Sequence, residues 1–312
     1  MMHCAKVFVT NGVPLRRGIL NTGLKFVKSS HSSPFVGGKS PFAPKKLPFA
    51  KYVVAVASGK GGVGKSTVSI NLAIALQSIG FSVGVLDADV YGPSIPYLLA
   101  LKGKPELDSS ENSSVMLPKQ KYGLQVMSMG FLIPEEQQER AFVWRGPMVG
   151  SAIEQMLYKV KWSLMDFLVI DLPPGTGDAQ LSISQRVRIT GAVIVSTPQD
   201  IALIDAKRGV DMFRRVNVPI IGIVENMSYF ICSQCGHREP IFGERGVEMT
   251  CQVLGVSMLG AIPLRTCIRE TCDRGVPITK DNPGSEEAAC FQQVAEKVKN
   301  YCVTHASVET AK

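Results

Sequence analysis

Residues 52–67 read Tyr52-Val53-Val54-Ala55-Val56-Ala57-Ser58-Gly59-Lys60-Gly61-Gly62-Val63-Gly64-Lys65-Ser66-Thr67, and this stretch decides the fold. An unbroken run of small and β-branched apolar residues is what a strand buried on both faces requires. It leads directly into a glycine-rich segment that satisfies G-x-x-x-x-G-K-[ST] and then into helical apolar spacing over 65–79. Glycines at 59, 61, 62 and 64 let backbone N–H groups turn inward onto phosphate oxygens, where a Cβ would intrude. The N-terminus of the following helix adds partial positive charge. Lys65 is placed to reach β- and γ-phosphates, and the Ser66 hydroxyl to coordinate Mg²⁺. The ligand this predicts is ATP, cradled by residues 59–67.

Downstream, short apolar runs alternate with longer amphipathic stretches. Strands are expected at 52–57, 82–86, 124–127, 167–170, 192–196, 220–224 and 258–261. Helices are expected at 65–79, 148–159, 179–186, 201–215, 243–254 and 285–303. The alternation predicts an α/β fold, a doubly wound and mostly parallel sheet covered on both faces. Ligands of such sheets sit beyond the carboxyl ends of the strands. Residues 102–121 are polar and irregular and read as an exposed excursion. No internal repeat is visible, and no apolar run reaches the roughly 18 residues that a membrane span needs. One domain over 49–304 is expected, followed by a polar tail, 305–312.

The 312-residue chain carries a net charge of +8, but unevenly. Residues 1–51 hold nine Lys or Arg and no Asp or Glu, and the first acidic residue is Asp87. Setting those nine aside from 34 leaves 25 basic residues against 26 acidic ones, so the body is near neutral and a nucleic-acid-binding face is not indicated. A leader rich in basic, Ser and Gly residues fits a mitochondrial or plastid transit peptide, with an amphipathic stretch over 15–27. The alternative is a disordered basic tail of a cytosolic protein. Residues 29–48, rich in Ser, Pro and Gly, read as the linker to the folded body.

Three carboxylates stand at strand ends. Asp87 and Asp89 follow one apolar strand, and Asp171 closes another in Asp171-Leu172-Pro173-Pro174-Gly175-Thr176-Gly177-Asp178. A carboxylate facing a phosphate loop from a strand end holds Mg²⁺ through water. Asp171 takes that role here, Asp89 the orientation of the attacking water, and Asp87 lies nearby. A glycine after Asp171 can offer its N–H to the γ-phosphate. Asp178 reads as the N-cap of the next helix.

Eight cysteines lie at 4, 232, 235, 251, 267, 272, 290 and 302, and only Cys232 and Cys235 form a CxxC pair, so a disulfide framework is not indicated. One chain thus offers two paired thiolates, with His237, two residues past Cys235, as a candidate third ligand. Two copies about a two-fold axis would pool four. Four thiolates suit either a [4Fe–4S] cluster or Zn²⁺, and spacing does not choose between them.

The second lysine of the loop, Lys60, resembles the deviant P-loop of the ATPase class that includes nitrogenase reductase, the Min and Par positioning ATPases and the Mrp group. That resemblance implies that Lys60 crosses to the partner's nucleotide in a homodimer, and that Asn226 recognises adenine. Narrower features resemble the Mrp/ApbC family of iron–sulfur cluster carrier ATPases. They are the phosphate loop, DADVYGPSIP at 87–96, Val143-Trp144-Arg145-Gly146-Pro147-Met148, DLPPGTGDAQL at 171–181, Ser196-Thr197-Pro198-Gln199-Asp200, Asn226-Met227-Ser228 and the CxxC. The likeness covers about 52–300. It implies weak ATP hydrolysis by Lys60, Lys65, Asp89 and Asp171, and a labile [4Fe–4S] cluster bridged by Cys232 and Cys235 of two subunits. With the basic leader it resembles the family's mitochondrial branch. That branch implies a place in the matrix, an iron–sulfur donor, and apoprotein clients among the subunits of respiratory NADH:ubiquinone oxidoreductase (complex I).

The chain departs from the family in carrying Ser233-Gln234 inside the CxxC, where proline is frequent, and in lacking an N-terminal four-cysteine domain. A Min/Par-type positioning ATPase is the alternative from another class, and a zinc-stapled dimer a third. The last helix argues against membrane targeting, because Phe291, Val294, Val298 and Tyr301 stand at core-docking spacing.

Overall fold

The structure is a computed structural model that describes residues 44–109, 115–133 and 146–310. They lie in one compact unit. Residues 1–43, with the amphipathic stretch of the leader, and Val143, Trp144 and Arg145 fall outside the described residues.

The first strand, β1 (Ala50–Ala57), has Val54, Ala55 and Val56 fully buried, as its unbroken apolar run requires. It passes through the glycine loop into α1 (Lys65–Ser78). Then come β2 (Val83–Asp87), α2 (Ile95–Leu98), β3 (Lys119–Lys121), β4 (Leu124–Ser128), α3 (Gly146–Tyr158), β5 (Met165–Asp171) and α4 (Asp178–Arg186). The chain continues through β6 (Gly191–Ser196), α5 (Asp200–Arg215), β7 (Ile220–Ile231), β8 (Arg238–Glu239), α6 (Gly246–Leu254) and β9 (Met258–Leu264). Three helices end it: α7 (Thr266–Asp273), α8 (Ile278–Asp281) and α9 (Glu286–Thr310).

The nine strands among the described residues form one sheet in the order β3-β4-β2-β5-β1-β6-β7-β8, with β9 also pairing β7. Pairings among β4, β2, β5, β1, β6, β7 and β9 are parallel, while β3 and β8 are short antiparallel additions. The chain steps one way from β1 to β2 and the other way from β5 to β6. Right-handed crossovers therefore place α1 on one face and α4 and α5 on the other. Consistently, α1 packs against α8 and α9, whereas α3 packs on α4 and α6 on α5. The doubly wound, mostly parallel sheet read from the sequence is the observed fold. The direction of winding reverses beside β1, which is where such sheets bind ligands.

Several expectations are corrected. The linker assigned to 29–48 ends earlier, because Lys45 bridges Val187 and Leu47 is 1% exposed in the core. An apolar side chain three residues ahead of a strand has enough buried neighbours to dock. The strand expected at 220–224 runs on to Ile231, since its last two residues, Phe230 and Ile231, pair with β8 instead of ending in a loop. The excursion at 102–121 includes an edge ladder, with Leu107 opposite Met116 and β3 on β4. Gly177, not Asp178, occupies the cap position of α4, and Asp178 is the first residue of the helix itself. In α9, Phe291, Val294 and Val298 are fully buried, so this helix is a core element. Among the described residues no helix is long and apolar enough to cross a membrane.

Candidate functional site

The loop between β1 and α1 is tied down from three sides. Gly64 closes it with φ +82°, and a Cβ there would lie 2.2 Å from the Asn226 side-chain nitrogen. Asn226, on β7, donates from Nδ2 to the Val63 carbonyl at 2.8 Å. Gly59 packs on α5, where a Cβ would come within 2.3 Å of the Asp205 backbone. Ser58 donates its hydroxyl to the Lys60 carbonyl at 2.9 Å, and its own carbonyl accepts from Gly175 N–H at 2.9 Å. Gly61 and Gly62 are exposed at the tip, Lys60 and Thr67 are half-buried, and Val63 is buried.

Three of the four residues read as catalytic meet at one point. The Lys65 ammonium, 6% exposed, stands 2.9 Å from Asp171 Oδ1 and 3.5 Å from Asp89 Oδ2. Burial works against its charge, but the Asp171 and Asp89 carboxylates outweigh that cost and raise the ammonium above the ordinary lysine range. Ser66 donates to Asp171 Oδ2 at 2.6 Å, and Ser69 Oγ lies 2.6 Å from Asp171 Oδ1. Lys60, the fourth, stands outside this cluster on the loop itself.

Register explains the meeting. Asp87 and Asp171 are direct partners on adjacent parallel strands, and α1 lays Lys65 across both strand ends. Asp89 is 7% exposed and its Oδ1 accepts from Tyr91 and Gly92 N–H, at 3.3 and 3.2 Å, which fixes the turn that presents it. Burial raises its carboxyl, with the Lys65 charge acting in opposition. Asp87 is fully buried, and burial together with the Asp171 charge pushes its carboxyl up to about 8. Its oxygens accept from Ser128 Oγ at 2.8 Å and from the N–H groups of Ile95 and Asp89, each at 3.2 Å.

The Ser66 hydroxyl and the Asp171 carboxylate form an all-oxygen donor pair within 2.6 Å, a set that fits Mg²⁺. Of the two glycines after Asp171 that could offer an N–H to a γ-phosphate, Gly175 spends its own on the Ser58 carbonyl, which leaves Gly177. Ser69 and Ser128 are not legible as site residues in the sequence, because a serine on a buried helix face or strand end fits no motif. Asp87, which the sequence places near the site without a role, is a hub of three hydrogen bonds that fix the end of β2.

The cysteine pair sits at the turn of the β7–β8 hairpin. Cys232 N–H donates to the His237 carbonyl and Gly236 N–H to the Cys232 carbonyl, both at 2.9 Å, while Gly236 takes φ +71°. This closes a tight knuckle with Cys232 half-exposed and Cys235 exposed. The backbone amides of Cys235 and Gln234 point at the Cys232 sulfur and lower its pKa, which favours the thiolate. His237 turns its Nε2 to Glu239 at 3.0 Å, so it is not gathered with the thiols as a third ligand. Among the described residues no group of three or more His, Cys, Asp or Glu side chains is arranged to hold a metal ion. Cys251, Cys272 and Cys302 are buried, and burial pushes their thiols up to about 11, 11 and 12, as core thiols require.

Residues 50–299 match the profile of the ParA: NUBPL iron-transfer P-loop NTPases. The chain belongs to this family. It is 52% identical over 259 residues to the mouse iron-sulfur cluster transfer protein NUBPL, covering 82% of this chain and 79% of the mouse protein. The Arabidopsis thaliana iron-sulfur protein required for NADH dehydrogenase, mitochondrial, is 47% identical over 268 residues, covering 86% and 83%. A nucleotide-binding protein from Archaeoglobus fulgidus, solved with ADP, superposes with a TM-score of 0.64 at 38% identity, covering 73% of this chain and 88% of that one. Membership in the NUBPL family thus agrees with the doubly wound fold and the P-loop read from residues 52–67.

Proposed function

We propose that this chain is an ATP-dependent carrier of [4Fe–4S] clusters that works as a homodimer in the mitochondrial matrix and supplies apoproteins, among them subunits of complex I. The observation that carries the reading is that one strand serves both sites. β7 holds Asn226 against the P-loop and, six residues further on, presents Cys232 at the turn of its hairpin. Six residues of extended chain span at most about 22 Å. A shift of the loop on binding ATP therefore has a short, hydrogen-bonded route to the thiolates. The relatives named for iron–sulfur transfer and for NADH dehydrogenase support the cargo and the clients, and the basic leader supports the compartment.

The chemistry follows from the side chains. The loop amides and Lys65 bind the triphosphate, and Lys65 carries the positive charge to the β- and γ-phosphates. Ser66 and Asp171 would hold Mg²⁺, which would supply charge neutralisation of the phosphates. Asp89 accepts a hydrogen bond from the attacking water and orients it toward the γ-phosphorus. Lys60 reaches the partner's nucleotide, so closure and hydrolysis are linked. Asn226 has a second task, adenine recognition, beside its bond to Val63. Cys232 and Cys235 of each subunit bind the cargo cluster. The amides of Gln234 and Cys235 stabilise the thiolate of Cys232, and the exposure of Cys235 leaves the cargo open to an acceptor.

An ultraviolet–visible spectrum of anaerobically reconstituted protein tests this. A broad visible charge-transfer absorption is expected, and it is lost in Cys232→Ala. A colourless protein that binds zinc at the same pair would establish the zinc-stapled dimer instead. A positioning ATPase is disfavoured by the burial of Phe291, Val294 and Val298, which commits the last helix to the core.

A further inference from the structure

We propose that Ser69, which lies outside the P-loop motif, is a positioning residue that holds the Asp171 carboxylate in register for the divalent cation at Ser66. The inference rests on the reading of Ser66 and Asp171 as the cation site. Ser69 is one helical turn beyond Ser66 on α1 and is fully buried. Its hydroxyl has one proton and two candidate acceptors, the Lys65 carbonyl at 3.0 Å and Asp171 Oδ1 at 2.6 Å. The shorter contact has the length of a hydroxyl donating to a carboxylate, so the proton goes to Asp171.

Asp171 is gripped at both oxygens. Oδ2 accepts from Ser66, and Oδ1 is shared by Lys65 at 2.9 Å and Ser69. To carry charge to a phosphate, Lys65 loosens its hold on Oδ1. Of these partners only Ser69 then remains on that oxygen. The terminal torsion of an aspartate is soft, and without an anchor on Oδ1 the carboxylate turns Oδ2 away from Ser66. Ser69 therefore acts on the cation through Asp171, in the manner of a group that orients a metal ligand from behind.

The test is Ser69→Ala in the full chain, read by equilibrium binding of a fluorescent ADP analogue during Mg²⁺ titration and, separately, in EDTA. The Mg²⁺ concentration for half-maximal effect is expected to rise about tenfold, the scale for loss of such a support. Affinity in EDTA should be unchanged, and Ser69→Thr, which keeps the hydroxyl, should restore the Mg²⁺ response. An unchanged Mg²⁺ midpoint in Ser69→Ala overturns the inference. So does an equal loss of affinity with and without Mg²⁺, which marks a merely structural serine. Should wild-type protein bind the analogue without regard to Mg²⁺, the cation site itself is wrong, and the two failures are told apart.

Discussion

The Lys65 ammonium lies 2.9 Å from Asp171 Oδ1, inside a site where neither side chain meets water freely. Asp89 stands on the other side of the same ammonium. The lysine proposed to bind phosphate is thus also the cation that makes these buried carboxylates tolerable.

Lys65→Ala is therefore expected to do two things. Nucleotide binding should be abolished, and the protein measured without nucleotide should lose about 3–5 kcal/mol in urea denaturation, the scale for stranding a buried charge. Retained affinity for ATP would show the P-loop to be misassigned. Unchanged stability would show that the carboxylates need no cation.

Asp87 gives the stability a pH dependence of definite sign. The folded carboxyl is raised from 3.8 to about 8, so between these values the folded chain keeps a proton that the unfolded chain has released. Stability from this group is complete below 3.8 and is lost as pH rises through about 8. Asp87→Asn removes the titration. The stability of wild type relative to Asp87→Asn should fall on going from about pH 5 to about pH 8, at up to about 1.4 kcal/mol per unit. Parallel pH profiles in urea denaturation would contradict this.

The loop clamp makes a third prediction. Gly64→Ala meets both a clash with Asn226 and a left-handed backbone that costs a residue with a Cβ about 1–2 kcal/mol. Adding Asn226→Ala removes the clash but not the backbone cost, at the expense of the bond to Val63. Denaturation of the two single variants and the double should show a coupling of at least about 0.5 kcal/mol, the scale for residues in contact. Strict additivity would mean that the side chains do not meet.

What residues alone reveal follows a physical line. The phosphate loop is legible because glycine spacing, an apolar strand and a helix start are all local features. Asp171 is legible because a carboxylate that ends a buried strand must find a cation or a ligand to stay charged there. The extension of β7 to Ile231 is half visible, since Ser228-Tyr229-Phe230-Ile231 carries strand formers, but its partner β8 is only two residues long. α7 and α8 escape a reading of the sequence, being eight and four residues long, too short for a helical period to declare itself. Ser69, Ser128 and Leu47 are invisible for another reason: their meaning comes from what lies across the fold, and a single chain of letters does not carry that.

The central claim is that two copies pool Cys232 and Cys235 into one cluster site beside their nucleotides. Iron, sulfide and zinc analysis of the anaerobically purified protein, alongside its mass in solution with and without ATP, tests it most directly. The account predicts a dimer that holds iron and sulfide in equal amounts, half a cluster per chain, lost together in Cys235→Ala. A monomer that retains neither iron nor zinc under strict exclusion of oxygen would contradict it.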